Sequence, residues 1–322
     1  MKGFDPRYLD LPDYILGITY RIWEGREVDA IEELYAPDVV VRSPEGTVRG
    51  NRGVIAATLA TLATFGDRQL LGEDVIWSGD DEAGFLSSHR IMSLATHSGD
   101  GAYGPPTGTQ LRYRIIADCA ARQNQIYDEW LVRDQGAIVR QLGLDPKRYA
   151  AEQIDAEGGP GACRRPFHPS LDAAPAYTGA GNDHPAGDRY ADMLERVMDG
   201  GLDVVAEHYD RAVQLELPGG RTGHGRAAAD RFWLRLRSSL PQARFEIHHR
   251  IGRDDDGLGP RAALRWSLTG AHDGWGAFGR PSGADVHVMG ISHAEIGPRG
   301  LRREWVLIDE TAVWRQILLH TG

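Results

Sequence analysis

The chain has 322 residues, 41% hydrophobic and 25% charged, with 36 Lys and Arg against 46 Asp and Glu and a formal net charge of −10. That balance fits a globular protein of two ordinary domains, and it argues against nucleic acid or a membrane as partner, since either would need a basic patch. No apolar run reaches the roughly 18 residues that cross a bilayer, the start at Met1-Lys2-Gly3 lacks the apolar core of a signal peptide, and the two cysteines, Cys119 and Cys163, leave no disulfide framework or cysteine-rich zinc site; the expected location is the cytoplasm.

In chain order, 14–35 has helical periodicity, with Ile15, Ile18, Ile22, Ile31 and Leu34 at three- and four-residue steps and a break at Gly25. Val39-Val40-Val41 reads as a short strand and 52–65 as an alanine-rich helix. Strands are expected at 69–78, 84–97, 109–121 and 125–133. A glycine-proline block at 98–108 forms a long hairpin loop, Gln123-Asn124 a tight turn, and 137–142 a helical turn. Helices followed by a four-stranded antiparallel meander make an α+β unit. The segment 146–186, rich in Gly, Pro, Ala and Asp, reads as a linker. Beyond it the order repeats: helix 190–209, strand 212–217, helix 226–240, and strands at 243–253, 261–272, 284–296 and 301–308.

The repetition is also literal. The stretch from His97 to Gly108 recurs from His272 to Gly283, 175 residues on. The same offset carries Glu129-Trp130 to Glu304-Trp305, Asp134 to Asp309 and Arg140-Gln141 to Arg315-Gln316. The chain therefore divides into a first copy at 1–145, the linker at 146–186 and a second copy at 187–322.

These motifs, His97 to Gly108, Glu129-Trp130 with Asp134, and Arg140-Gln141-Leu142-Gly143, resemble the SnoaL-like polyketide cyclase family of the nuclear transport factor 2-like superfamily. The second copy departs from the pattern where Pro105 becomes Arg280 and Leu142-Gly143 becomes Ile317-Leu318. The resemblance implies two cone-shaped domains, each a curved antiparallel sheet wrapped by N-terminal helices around a ligand pocket. It also implies that the copies pack through their sheets as an intrachain pseudo-dimer, from which a further homo-oligomer could be built.

The resemblance further implies that the aspartate four residues after the tryptophan faces the pocket as general acid/base: Asp134 in the first copy and Asp309 in the second, with Trp130 and Trp305 beside them. Desolvation in an apolar cone would raise such a carboxyl towards neutrality. The residues alone equally allow both aspartates to cap the segment that follows the strand. Strand alternation places Asp128, Trp130, Val132 and Asp134 on one face and Glu129, Leu131 and Arg133 on the other; for Glu129 and Glu304 an ion pair between the copies is expected ahead of a catalytic role.

The preceding strand differs between the copies. Arg112, Arg114, Ile116, Asp118 and Ala120 correspond to His287, Met289, Ile291, His293 and Glu295. Asp118 with Asp134 offers a carboxylate pair of split pKa, and His293 with Glu295 and Asp309 an acid/base set; a polar, solvent-facing sheet edge is the other reading. His89, whose counterpart is Leu264, is a pocket candidate because the fold does not need a histidine there. Trp130, Trp305, Tyr113, Arg114 and Glu295 are expected to contact substrate. His97 and His272 either do the same or brace the hairpin loop. No ligand set has zinc-like spacing, Asp254-Asp255-Asp256-Gly257 reads as a turn, and no dinucleotide fingerprint or nucleophile elbow is present, so neither metal nor cofactor is expected.

Three functions fit. The first is a cofactor-independent cyclase, isomerase or lyase acting on a small organic carbonyl compound. The second is an epoxide or lactone hydrolase built on Asp118, Arg114 and Asp134. The third is a non-catalytic small-molecule binder or scaffold.

Overall fold

The computed structural model describes residues 1–322. Helix α1 (Leu11–Trp23), capped by the Asp10 carboxylate, is followed by a 3-10 turn and the short α2 (Ile31–Leu34). Strands β1 (Tyr35–Ser43) and β2 (Gly46–Arg49) form a hairpin that leads into α3 (Gly50–Thr64). The meander is β3 (Gln69–Asp80), β4 (Gly84–Thr96), β5 (Gln110–Arg122) and β6 (Gln125–Arg133), and it closes on α4 (Gln135–Gln141). After α5 (Pro146–Ala156) and an irregular stretch, the second copy runs α6 (Pro185–Met198), α7 (Val204–His208), β7 (Tyr209–Leu217), β8 (Arg221–His224), α8 (Arg226–Ser239), β9 (Arg244–Arg253), β10 (Arg261–Ala271), β11 (Asp285–Gly297), β12 (Gly300–Ile308) and α9 (Glu310–Thr321).

Each copy is an α+β unit on a six-stranded mixed sheet, ordered β2-β1-β6-β5-β4-β3 and β8-β7-β12-β11-β10-β9. This extends the expected four-stranded meander. The short strand expected at 39–41 is nine residues long and pairs in parallel with β6, with Val41 beside Glu129 and Arg42 beside Trp130. Pro37 and Asp38 disguise its first half, and the ladder bulges there, between Tyr35 and Val40. The helix expected at 190–209 breaks at Asp199-Gly200-Gly201, where Gly200 takes a positive φ. The first eleven residues of the expected linker form α5, capped by Asp145, and pack against α9. No helix is long and apolar enough to cross a membrane.

The two sheets pack face to face. Ile116, Trp130 and Val132 of the first copy share an apolar cluster with Ala263, Met289, Ile291 and Leu307 of the second, and Phe167 from the linker wedges into it. The contacts are reciprocal at the 175-residue offset. Arg90 stacks on Trp305 at 3.6 Å, and Arg265 stacks on Trp130 at 3.5 Å. Such self-complementary pairing is the mark of a two-fold interface, here formed within one chain.

The repeated glycine motif has a packing cause. The hairpin loops dock on the ends of α3 and α8: Ser98 and Gly99 donate to the Thr64 carbonyl at 3.1 Å, and Gly274 donates to Ser239 at 3.3 Å. A Cβ at Gly99 or Gly274 would collide with the carbonyls of Ala63 or Ser238, so glycine is required by the close approach rather than by a positive φ.

Candidate active site

The sheet face turned away from the interface meets the helices. In the first copy His89 and Ile91 of β4, Ile115 and Cys119 of β5, and Glu129 and Arg133 of β6 point towards α1 and α3. Between them lies a mainly apolar cavity of about 450 Å³. It stays open because the helix positions above it are small: Thr58 and Thr61 of α3 reach in where a bulkier side chain would fill the space.

At one end sits Glu129, 7% exposed, flanked in register by Cys119 and Val41. Burial raises its carboxyl to about 7, against which the Tyr35 hydroxyl and the Cys119 thiol favour the charged form. One carboxylate oxygen has no protein partner. Burial and the Glu129 charge together push the Tyr35 phenol well up, so it stays a neutral donor. His89 shares the wall. Burial alone lowers its imidazole to about 4, leaving it neutral at pH 7, with Nδ1 3.2 Å from Ser87 Oγ.

The other end is cationic and polar. Arg133 lies four residues beyond Glu129 on β6, about 13 Å along the strand. Arg68, 4% exposed, lies between Trp23 (4.2 Å to the ring centre) and Tyr113 (5.9 Å) and donates from Nε to Ser93 Oγ at 3.2 Å. Gln135 donates to Glu45 Oε1 at 2.8 Å while its own carbonyl oxygen is buried without a partner. The cavity wall is completed by Asp309, a residue of the second copy. One oxygen of Asp309 caps α9, accepting from the N–H groups of Thr311 (2.8 Å) and Ala312 (3.2 Å); burial, then the Glu45 charge, raises its carboxyl.

In the second copy the same volume is filled. At the 175-residue offset, Thr58, Thr61 and Ile91 become Trp233, Leu236 and Trp266, and Ile115 becomes Gly290, against which the Trp266 ring lies so closely that a Cβ would collide. The indoles of Trp233 and Trp266 sit 6.1 Å apart, both fully buried. Glu304, the counterpart of Glu129, is sealed: Tyr190 and Tyr209 donate to it at 2.8 and 2.9 Å, and Trp233 donates to Tyr209 at 2.9 Å. The interior is one continuous core of 30 buried residues, whereas that of the first copy splits into clusters of 13, 7 and 3 around the cavity.

The structure brings His89 to the cavity and takes most other expected residues away from it. Asp134 caps α4 and accepts from Ala137 N–H at 3.0 Å and, across the interface, from Gly219 and Gly220 N–H at 2.7 and 2.9 Å. Asp118, Trp130, His293 and Trp305 are all in the sheet–sheet interface, because the opposing copy covers the face they share. His293 there accepts from Arg90 at 2.9 Å and lies 2.8 Å from Ser88 Oγ, and Asp118 lies 3.8 Å from Arg265. Arg114 binds Glu73 (2.9 Å) and, across the interface, Glu216 (2.8 Å). Glu295 lies 3.6 Å from Arg302 near the C-terminal end of β11. His97 and His272 brace the hairpins through Thr107 (3.1 Å) and Ser282 (3.0 Å), and Tyr113 packs behind Arg68 with Phe65. Glu129 and Glu304 form no ion pair between the copies; each is directed into its own copy's interior.

Glu129, Tyr35, Arg68 and Arg133 were not among the expected site residues. For the two arginines a signal existed. Arg68 and Arg133 become Ala243 and Ile308 at the offset, the same kind of difference that singled out His89.

The family model for the SnoaL-like polyketide cyclase matches residues 14–142, and that for the SnoaL-like domain matches 190–302. Among solved structures the chain is similar to IdmH of Streptomyces antibioticus, a candidate polyketide cyclase, at 26% identity over 98% of that chain and 41% of this one, with a TM-score of 0.36. It is also similar to candidate polyketide cyclases of Jannaschia sp. CCS1 (19% identity, 96% of that chain, 42% of this one, TM-score 0.36) and Acidithiobacillus ferrooxidans (20%, 92%, 41%, TM-score 0.37). A search of curated proteins finds no match. The two matched segments fall on the two sheets and their helices, and the chain therefore belongs to the SnoaL-like family of the nuclear transport factor 2-like superfamily and carries its domain in tandem.

Proposed function

We propose that the first copy is a cofactor-independent acid/base enzyme of the cyclase, isomerase or lyase type, acting on a small organic carbonyl compound, and that the second copy is its structural partner. The observation that carries the reading is Glu129: a buried carboxyl raised to about 7, with one oxygen lacking a protein partner, in the wall of a mainly apolar cavity. In its charged form Glu129 removes a proton from carbon next to the substrate carbonyl. The C–H electron pair moves into the enolate, and the proton resides on the Glu129 carboxyl. The enolate then takes the proton back at another carbon, or its carbon attacks a second carbonyl whose oxygen takes the proton from Glu129, or it expels a leaving group from the adjacent carbon, which takes that proton. Tyr35, a neutral donor beside Glu129, orients the carboxylate and stabilises its charged form.

Asp134, the acid/base implied by the family motif, is tied by three backbone N–H groups and serves the interface. The hydrolase reading loses its constellation, because Asp118, Arg114 and Asp134 are each engaged with different partners outside the cavity.

The test is Glu129→Gln, assayed by deuterium uptake of cyclic 1,3-dicarbonyl probes in heavy water, with circular dichroism to confirm folding. Loss of enzyme-dependent exchange by a factor of about a hundred or more is expected. Undiminished exchange would remove Glu129 as the base.

A further inference from the structure

Three arginines line the cavity: exposed Arg164 donates to the Thr47 carbonyl at 3.1 Å, and the other two, Arg68 and Arg133, form no ion pair. Arg68 is 4% exposed, donates to the neutral Ser93 hydroxyl, is favoured as a cation by the Tyr113 phenol, and leaves Nη1 buried without a partner. Arg133 likewise leaves Nε buried and unpartnered. The two cations repel one another, and their common surroundings are the phenols of Tyr103 and Tyr113. Glu45, whose charge together with the Tyr103 and Tyr113 phenols favours the Arg133 cation, is already hydrogen-bonded by Gln135. Burying charge in this way is costly unless an anion completes the set.

The second copy shows that the fold does not call for these groups. Arg68, Arg133, Tyr103 and Tyr113 correspond to Ala243, Ile308, Phe278 and Val288, all apolar. The polar set exists only where the cavity exists. No cation stands beside Glu129, so the charges do not serve to hold that carboxyl ionised.

We propose that Arg68 and Arg133 form an anion-binding subsite for a carboxylate carried by the substrate, at the opposite end of the cavity from Glu129. This rests on the reading of the first copy as the binding chamber, and it narrows the substrate class to apolar, ring-sized acids with a carboxylate at one end. The reacting carbon would lie within about 13 Å of it, the span along β6 from Arg133 to Glu129. A planar carboxylate suits the fork of a guanidinium, and the Trp23 ring beside Arg68 supplies a stacking wall.

The experiment uses the full chain and a matched pair of probes, 2-naphthoate and its neutral methyl ester, titrated by calorimetry at pH 8. The carboxylate should bind about tenfold or more tightly than the ester. Arg68→Met and Arg133→Met should each remove that preference while leaving ester binding in place, and Arg68→Lys should restore part of it, which separates lost charge from lost structure. Glu129→Gln should keep the preference intact, so a failed catalytic reading and a failed anion site give different results. Equal affinity for the two probes, no binding of the carboxylate, or a preference that survives both arginine substitutions overturns the proposal.

Discussion

The first copy keeps Thr58 and Ile91 around an open chamber, while the second closes the equivalent space with Trp233 and Trp266. The strand order, the docked glycine hairpin, the Glu-Trp pair and the capping aspartate are common to both. The difference teaches which features the fold needs and which the ligand needs. A cavity forfeits dispersion contacts that a packed interior would make, so an open interior lined by a carboxyl with one unpartnered oxygen and by Arg68 and Arg133 without ion pairs is not what stability alone would select. The filled copy shows that the same scaffold packs well without them.

Four experiments can break or sharpen this contrast. The largest effect is expected from Trp233→Thr, which copies the first interior into the second: unfolding free energy should fall by about 3–5 kcal/mol, measured by urea titration. The reverse change, Thr58→Trp, should abolish probe binding while costing no more than about 3 kcal/mol. If Trp233→Thr proves neutral, the second interior is not a packed core. Next come the paired glutamates. Glu129→Gln should lower turnover about a hundredfold or more, whereas Glu304→Gln, behind two tyrosines, should leave turnover unchanged. Equal losses would make the copies functionally alike.

The third comparison sets the capping aspartates against each other. Asp134→Ala removes a cap and two hydrogen bonds between the copies, so a loss of about 1–2 kcal/mol with unchanged turnover is expected from parallel melting and rate measurements. A large loss of turnover with no loss of stability would return Asp134 to the chemistry. The smallest effect is in the pH dependence of stability. Burial lifts Glu129 and Glu304 from the ordinary 4.5 to about 7, so the folded state holds more protons than the unfolded one between those limits. Stability should therefore be full below about 4.5, fall as pH rises towards 7, and level off above it, with a slope of at most about 1.4 kcal/mol per pH unit for each group. Glu304→Gln should make that slope shallower, and an unaltered slope would show that the buried network holds Glu304 at its ordinary pKa.

Much of the fold was legible in the sequence. The strands from 69 to 133 and from 243 to 308 follow from alternation and turn residues, and the duplication follows from the hairpin motif. What alternation could not decide was which face of β6 looks into the chamber. In a sheet covered by helices on one side and a second sheet on the other, both faces are buried: Trp130 and Val132 pack against the other copy, and Glu129 and Leu131 against the helices. The family motif then drew attention to Asp134, whose chain neighbours Gln135 and Arg133 turned out to line the cavity instead. His89 is legible as a difference between the copies, Leu264 standing at its counterpart, and Arg68 and Arg133 at the cationic end differ from Ala243 and Ile308 in the same way. Helix α5 was hidden by the glycine-rich stretch just after it, and β1 by Pro37.

Asp309 belongs to the second copy yet forms part of the first copy's chamber wall, while its counterpart Asp134 is tied down by Gly219 and Gly220. In an assembly of identical subunits every substitution appears in both interiors, so a tryptophan that closes one chamber closes the other. Covalent fusion lifts that constraint. A single chain can spend one half on rigidity and lend a side chain from it to the other half, and the two halves then become mutually dependent: cutting them apart at the linker would leave the first copy with an opened wall as well as an uncovered sheet.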